Sequence, residues 1–163
     1  MWLNFLDRLN QWTKYVIILF MTVFTANLVM NVGLRYLIHT SIIWVEELSI
    51  YLMIWTSFLA AAVAFREGSH VSFTVLIDKL PERMRGNFIF FNQAVIMGFL
   101  IIMVYYGFMF AIVNWGQQTP ALRISKGIPY LSIPVGGILM ILQMTGVVLT
   151  HARQYFNDNK VEN

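Results

Sequence analysis

The sequence predicts an all-α integral membrane protein. Four transmembrane helices are expected, both termini on the cytoplasmic side, with short amphipathic surface helices at the N-terminus and in the second loop. Three observations predict it. Of 163 residues, 58% are apolar and only 12% charged, about half the charged fraction of an ordinary soluble domain. Four stretches, 15–34, 48–65, part of 86–122, and 127–150, are long and uncharged enough to cross a bilayer. A soluble fold of this length could not hide all four from water. Finally, the basic residues are sided. The N-terminal tail (Arg8, Lys14), second loop (Arg66, Lys79, Arg83, Arg85) and C-terminal tail (Arg153, Lys160) hold eight of the eleven Lys and Arg. The first loop (Arg35) and third (Arg123, Lys126) hold three. By the positive-inside rule the first group is cytoplasmic. One membrane domain, 1–163, is expected, with spans of about 15–35, 44–66, 86–115 and 128–151.

The first element, residues 2–12, places Trp2, Phe5, Leu6, Leu9 and Trp12 on one helical face and Asn4, Asp7, Arg8 and Gln11 on the other. Such a segment lies in the membrane interface. It is a separate surface helix or the start of span one. That span carries Asn27, Asn31 and Arg35, four apart, as a polar file. Amides facing lipid are costly, so the file is expected to face protein as a hydrogen-bonding seam. The run after Tyr15 is too long for a signal-peptide core, and no small-residue cleavage site closes it.

Span two begins at the adjacent Glu46 and Glu47. It then runs uncharged through residues 48–65, about 27 Å of helix. The macrodipole favours both carboxylates at a helix start. Arg35, one short loop away, is the expected ion-pair partner, Glu47 more than Glu46. Ser57, Ala60, Ala61 and Ala64 form a stripe of small residues that permits close approach of another helix, in this chain or a partner. Arg66, Glu67 and His70 stand at its exit. In the second loop Val71, Val75, Leu76 and Leu80 keep helical spacing up to Pro81.

The uncharged stretch 86–122 exceeds what a bilayer needs. Span three is therefore tilted, or its outer end emerges around 114–120. Pro120, Arg123, Lys126 and Gly127 mark a break, and span four begins near Pro129. Pro134, Gly136 and Gly137 predict a kink or a close contact, and Gln143 is expected to face protein.

The net charge of +3 is too small to argue for nucleic acid, and without cysteine there is no disulfide or thiolate metal site. No Gly-rich phosphate loop, no facing pair of histidines at membrane depth and no nucleophile–base arrangement is present. Neither an enzyme nor a cofactor is expected.

The stretch from Arg35 to His70 resembles a known family. Arg35–Tyr36, the run Ser41, Ile42, Ile43, Trp44, Val45, Glu46, Glu47, Leu48, then Trp55, Phe58, Leu59, Ala62, Ala64, Arg66 and His70 carry the resemblance. It continues through Leu80, Pro81, Glu82, Arg83, Met84 and Arg85. The family is the small membrane subunit of tripartite ATP-independent periplasmic (TRAP) transporters, the DctQ-like proteins, and the sequence is most similar to the sialic-acid branch. The resemblance implies a subunit of the bacterial inner membrane without a transport site of its own. Its implied partners are a large membrane subunit that carries substrate and sodium, a periplasmic substrate-binding protein, and membrane lipids. Asn27, Asn31, Arg35, Trp44, Glu46, Glu47, Ser57, Ala61, Ala64, Arg66 and His70 are then structural or interface residues. C4-dicarboxylate transport is the alternative within the family. Outside it stand a homodimeric proton-coupled exporter working through Glu46 or Glu47, and a redox or anchor subunit.

Overall fold

The computed structural model describes residues 2–39, 42–67 and 82–161. Its helices are α1 (Trp2–Ile38), α2 (Ile43–Arg66), α3 (Glu82–Val113), the single turn α4 (Gly127–Tyr130) and α5 (Ser132–Val161). Among the described residues the one β feature is a single bridge between Gln118 and Ser125. Four helical segments are long and apolar enough to cross a membrane, the fourth running from Gly127 to Gly146 through α4 and α5. The expected His70 position and the second-loop helix over 71–80 lie outside the described residues.

The N-terminal stretch is not a separate surface helix. α1 runs unbroken for 37 residues, because no proline or glycine occurs before Gly33 and a single inward stripe extends along it. Leu6, Asn10, Thr13 and Asn27 are all buried, at spacings that keep to one face. Trp2, Phe5 and Trp12 stay exposed, as interfacial aromatics do. Beyond Ile38 the chain leaves the helix through His39 in the left-handed conformation (φ 57°).

The helices form a row rather than a closed bundle. α2 packs chiefly against α1 and α5, α3 packs on α5, and α1 also touches α5 at the Leu6–Gly146 end. Two adjacent glycines let α5 occupy that inner position. A Cβ on Gly136 would lie 2.6 Å from Phe58 Cβ of α2, and one on Gly137 would lie 2.6 Å from Val104 Cγ2 of α3. The Pro134–Gly137 signal therefore marks close contact. The helical path breaks earlier, at Leu131 between α4 and α5. Ala62, Leu100, Met140 and Met144 form the core where α2, α3 and α5 meet, with Phe58, Ala61 and Phe65 packed around them.

At the end where α2 finishes, two ion pairs fasten it to α1. Arg66 Nη2 donates to Asp7 Oδ1 at 2.5 Å, and Lys14 pairs with Glu67. Gly146 lets α5 approach there too, since a Cβ would strike Leu6 and Arg66. α3 ends at Val113 and the following residues emerge as a hairpin loop, so span three is not prolonged to Leu122.

Candidate functional site

The polar chemistry concentrates at the opposite end, where α1 stops and α2 begins. Glu47 sits in the opening turns of α2 and is only 9% exposed. One carboxylate oxygen, Oε1, accepts a 2.5 Å hydrogen bond from the Tyr51 hydroxyl, one turn along the same helix. The other, Oε2, accepts the backbone N–H groups of Ala121 at 2.8 Å and Leu122 at 3.0 Å. An ionised carboxylate offers only acceptors, and here all of its neighbours donate. The carboxylate thus pins the third loop onto the start of α2.

That loop is built to hold its shape. The Thr119 N–H donates to the Ile124 carbonyl (2.8 Å) and the Ile124 N–H to Thr119 Oγ1 (3.2 Å), closing a four-residue turn over 120–123. The Lys126 N–H donates to the Gln117 carbonyl (2.9 Å), and Lys126 Nζ to Gln117 Oε1 (3.3 Å). The Ser125 hydroxyl donates to the Trp115 carbonyl (2.6 Å) and accepts from the Gly127 N–H (3.1 Å). Thr119 is 2% exposed, buried beneath the turn. Gly127 has to be glycine, because a Cβ would meet Trp115 at 2.5 Å and the Ala111 carbonyl at 2.8 Å.

The expected Arg35–Glu47 ion pair does not form. Asn27 sets the register of α1 on α2 by donating from Nδ2 to the Val45 carbonyl (3.3 Å) and to Ser49 Oγ (3.4 Å). Asn27 therefore lies at the level of Glu47, and Arg35 lies two turns farther on, about 12 Å along the axis. α1 simply outruns the start of α2. Arg35 is exposed in an open depression with Val32, Tyr36 and His39. The polar file is likewise divided: Asn27 is buried, Asn31 half-buried with its Oδ1 lacking a hydrogen-bond partner among the described residues, and Arg35 exposed.

Glu46 and Trp44 are exposed beside the site. The buried face of α2 is Val45, Glu47, Ser49, Thr56, Leu59 and Ala62, so the small stripe is turned away from it. Ser57 and Ala60 are exposed, Ala61 and Ala64 half-buried, and the Ser57 hydroxyl donates to the Met53 carbonyl of its own helix. Arg66 belongs to the clasp at the other end. Tyr51, Thr119 and the Ala121–Leu122 backbone were not expected at the site. Tyr51 one turn after Glu47 was a usable signal. The loop donors, 74 and 75 residues from Glu47, leave none. Among the described residues no three His, Asp or Glu side chains gather into a metal site.

Residues 16–154 match the family model for the DctQ component of tripartite ATP-independent periplasmic transporters. The chain belongs to this family. Similar proteins include the sialic acid TRAP transporter small permease protein SiaQ of Vibrio cholerae, 27% identical over 135 residues (83% of this chain, 78% of the relative). The C4-dicarboxylate TRAP transporter small permease protein DctQ of Rhodobacter capsulatus is 30% identical over 115 residues (69% and 51%). The isethionate TRAP transporter permease protein DctMQ of Oleidesulfovibrio alaskensis is 28% identical over 114 residues, 63% of this chain but 16% of that much longer relative. As a DctQ-component chain, it is a TRAP small permease subunit, multi-pass in its membrane.

Proposed function

We propose that this DctQ-component chain is the small membrane subunit of a sodium-coupled transporter for a carboxylated solute, sialic acid before a C4-dicarboxylate. It supports and orients a large transporting subunit and has no transport site of its own. The match across residues 16–154 carries this reading. The relatives' names add that their solutes are small organic anions: a sialic acid, a C4-dicarboxylate and a sulfonate. In DctMQ, the stretch similar to this chain is a small part of one longer permease protein, which supports a large membrane partner for it. The spans support the rest. Residues 15–34, 48–65 and 86–122 contain no charged side chain, and Glu47, the one buried carboxylate among the described residues, is committed to holding a loop. That commitment counts against a proton-coupled exporter working through it. The clasp end then faces the bacterial cytoplasm with both termini, and the Glu47 end faces the periplasm, where a substrate-binding protein delivers solute.

Reconstitution tests this directly. Proteoliposomes holding both membrane subunits, given binding protein and a sodium gradient, are expected to accumulate the solute. Proteoliposomes with this chain alone are expected to accumulate none, and uptake by the chain alone would refute the assignment.

A further inference from the structure

Exposed tyrosines on a membrane helix belong near its ends, where the ring sits in hydrocarbon and the hydroxyl meets water. Tyr15 and Tyr36 obey this, flanking the apolar run of α1 beside Lys14 and Arg35. Tyr105 and Tyr106 of α3 do not. They are 65% and 62% exposed, their rings edge to face with centroids 5.3 Å apart. Two independent features fix their depth. Gly136 meets Phe58 and the next residue, Gly137, meets Val104, so both tyrosines stand at about the level of Phe58. Phe58 lies about 15 Å from Leu48 and about 10 Å from Phe65, the two ends of the uncharged run of α2. Trp44 and Trp115, meanwhile, are exposed at the Glu47 end, where girdle aromatics sit. Tyr105 precedes Trp115 by about 15 Å of chain axis, half of a hydrocarbon core about 30 Å thick. The pair is therefore at mid-depth, too far from either surface for its hydroxyls to snorkel to water. Neither hydroxyl has a hydrogen-bond partner among the described residues. α3 turns Val104, Gly107 and Ala111 towards α4 and α5, so the tyrosines stand on the face away from the rest of the chain. Lipid tails offer no acceptor, and a hydroxyl left unpaired in hydrocarbon is costly. A neighbouring protein helix does offer acceptors, and interhelical hydrogen bonds are among the forces that join membrane helices.

We infer that the outer face of α3 docks a transmembrane helix of the large subunit, with Tyr105 and Tyr106 donating hydrogen bonds to acceptors on that helix at mid-membrane. Phe99, Ile102 and Met109, exposed on the same stretch of α3, supply the apolar contact around them. The inference rests on the function proposed above, which gives this chain a large membrane partner. It adds which helix meets that partner and what chemistry the partner presents there. Hydrogen bonds suit the role because their geometry holds in one register only, whereas apolar side chains accept lipid and protein alike.

The test compares the wild-type chain with the double variant Tyr105→Phe/Tyr106→Phe, which loses both hydroxyls and keeps both rings. The melting temperature of the isolated subunit is expected to stay unchanged. Its affinity for the large subunit is expected to fall about three- to ten-fold, the span that interhelical hydrogen bonds supply. Each single variant should lose less. In a second measurement, Tyr106→p-benzoylphenylalanine is expected to cross-link to the large subunit on illumination of membranes that hold the complex. Unchanged affinity in the double variant, or cross-links to lipid alone, would overturn the inference while leaving the proposed function intact. Cross-links between two copies of this chain would also overturn it and make the α3 face a homodimer seam. A wild-type chain that recovers no large subunit would remove both the inference and the function it rests on.

Discussion

At the scale of single residues the chain is governed by where its few polar groups find partners. Glu47 combines a favourable place at a helix start with two backbone donors from a distant loop. Glu47→Leu keeps much of the side chain's volume but offers no acceptor, so the Ala121 and Leu122 N–H groups both lose their partner. A buried donor left unsatisfied costs about 1–3 kcal/mol. Thermal unfolding of the purified subunit is expected to register that loss, together with faster amide exchange at Ala121 and Leu122. Arg35→Ala should stay within about 0.5 kcal/mol of wild type, as exposed positions usually do. The Arg35/Glu47 double-mutant cycle is then expected to be additive, and the Glu47/Tyr51 cycle to show coupling. A coupling energy above about 1 kcal/mol between Arg35 and Glu47 would mean that the pair forms after all. The burial of Asn27 and Glu47 was legible in the sequence, because polar groups interrupting an apolar helix must face protein. The identity of Glu47's partner was not. Loop backbone donors follow no period, and only the folded turn aims them.

At the scale of elements, glycine decides which helices are central. Gly136 and Gly137 stand against Phe58 and Val104, whereas Gly33 and Gly98 have nothing within 4 Å of an added Cβ. Gly136→Ala and Gly137→Ala are therefore expected to destabilise the subunit by about 1–3 kcal/mol, the usual cost of forcing atoms into a packed contact. Gly98→Ala should be neutral or stabilising by up to about 1 kcal/mol, since alanine suits a helix better. Melting temperatures of the three variants compare these directly, and equal losses would dissolve the distinction. The Pro134–Gly137 cluster announced either a kink or a contact, and the sequence could not choose between them. That choice depends on which neighbour comes to rest there. α1 failed differently: its Trp-rich start reads as interfacial, yet without a helix breaker its hydrogen bonding had no reason to stop before Gly33.

At the scale of the whole molecule, the row of helices leaves α2 with a face that no other described element covers. On α2 that face is Glu46, Ile50, Met53, Ser57 and Ala60, all exposed and spaced alternately four and three residues apart, as a helix–helix seam requires. Apolar periodicity showed four spans but could not show their lateral order, because in lipid both lipid and protein accept the same side chains. Ala60 and Ala62 on the same helix separate the two demands. Ala62 is 1% exposed in the core beside Leu100, Met140 and Met144, so Ala62→Leu is expected to destabilise the isolated subunit by about 1–3 kcal/mol through overpacking. Ala60→Leu should leave the isolated subunit's melting temperature unchanged, since it adds a side chain on an uncovered face. In the proposed assembly the same change holds a partner's helix away from α2 at its narrowest point. Recovery of the large subunit in a pull-down with tagged Ala60→Leu is therefore expected to fall well below wild type, while an Ile50→Leu control stays close to it. Wild-type recovery with Ala60→Leu would mean that the large subunit docks on another face, with α2 turned to lipid.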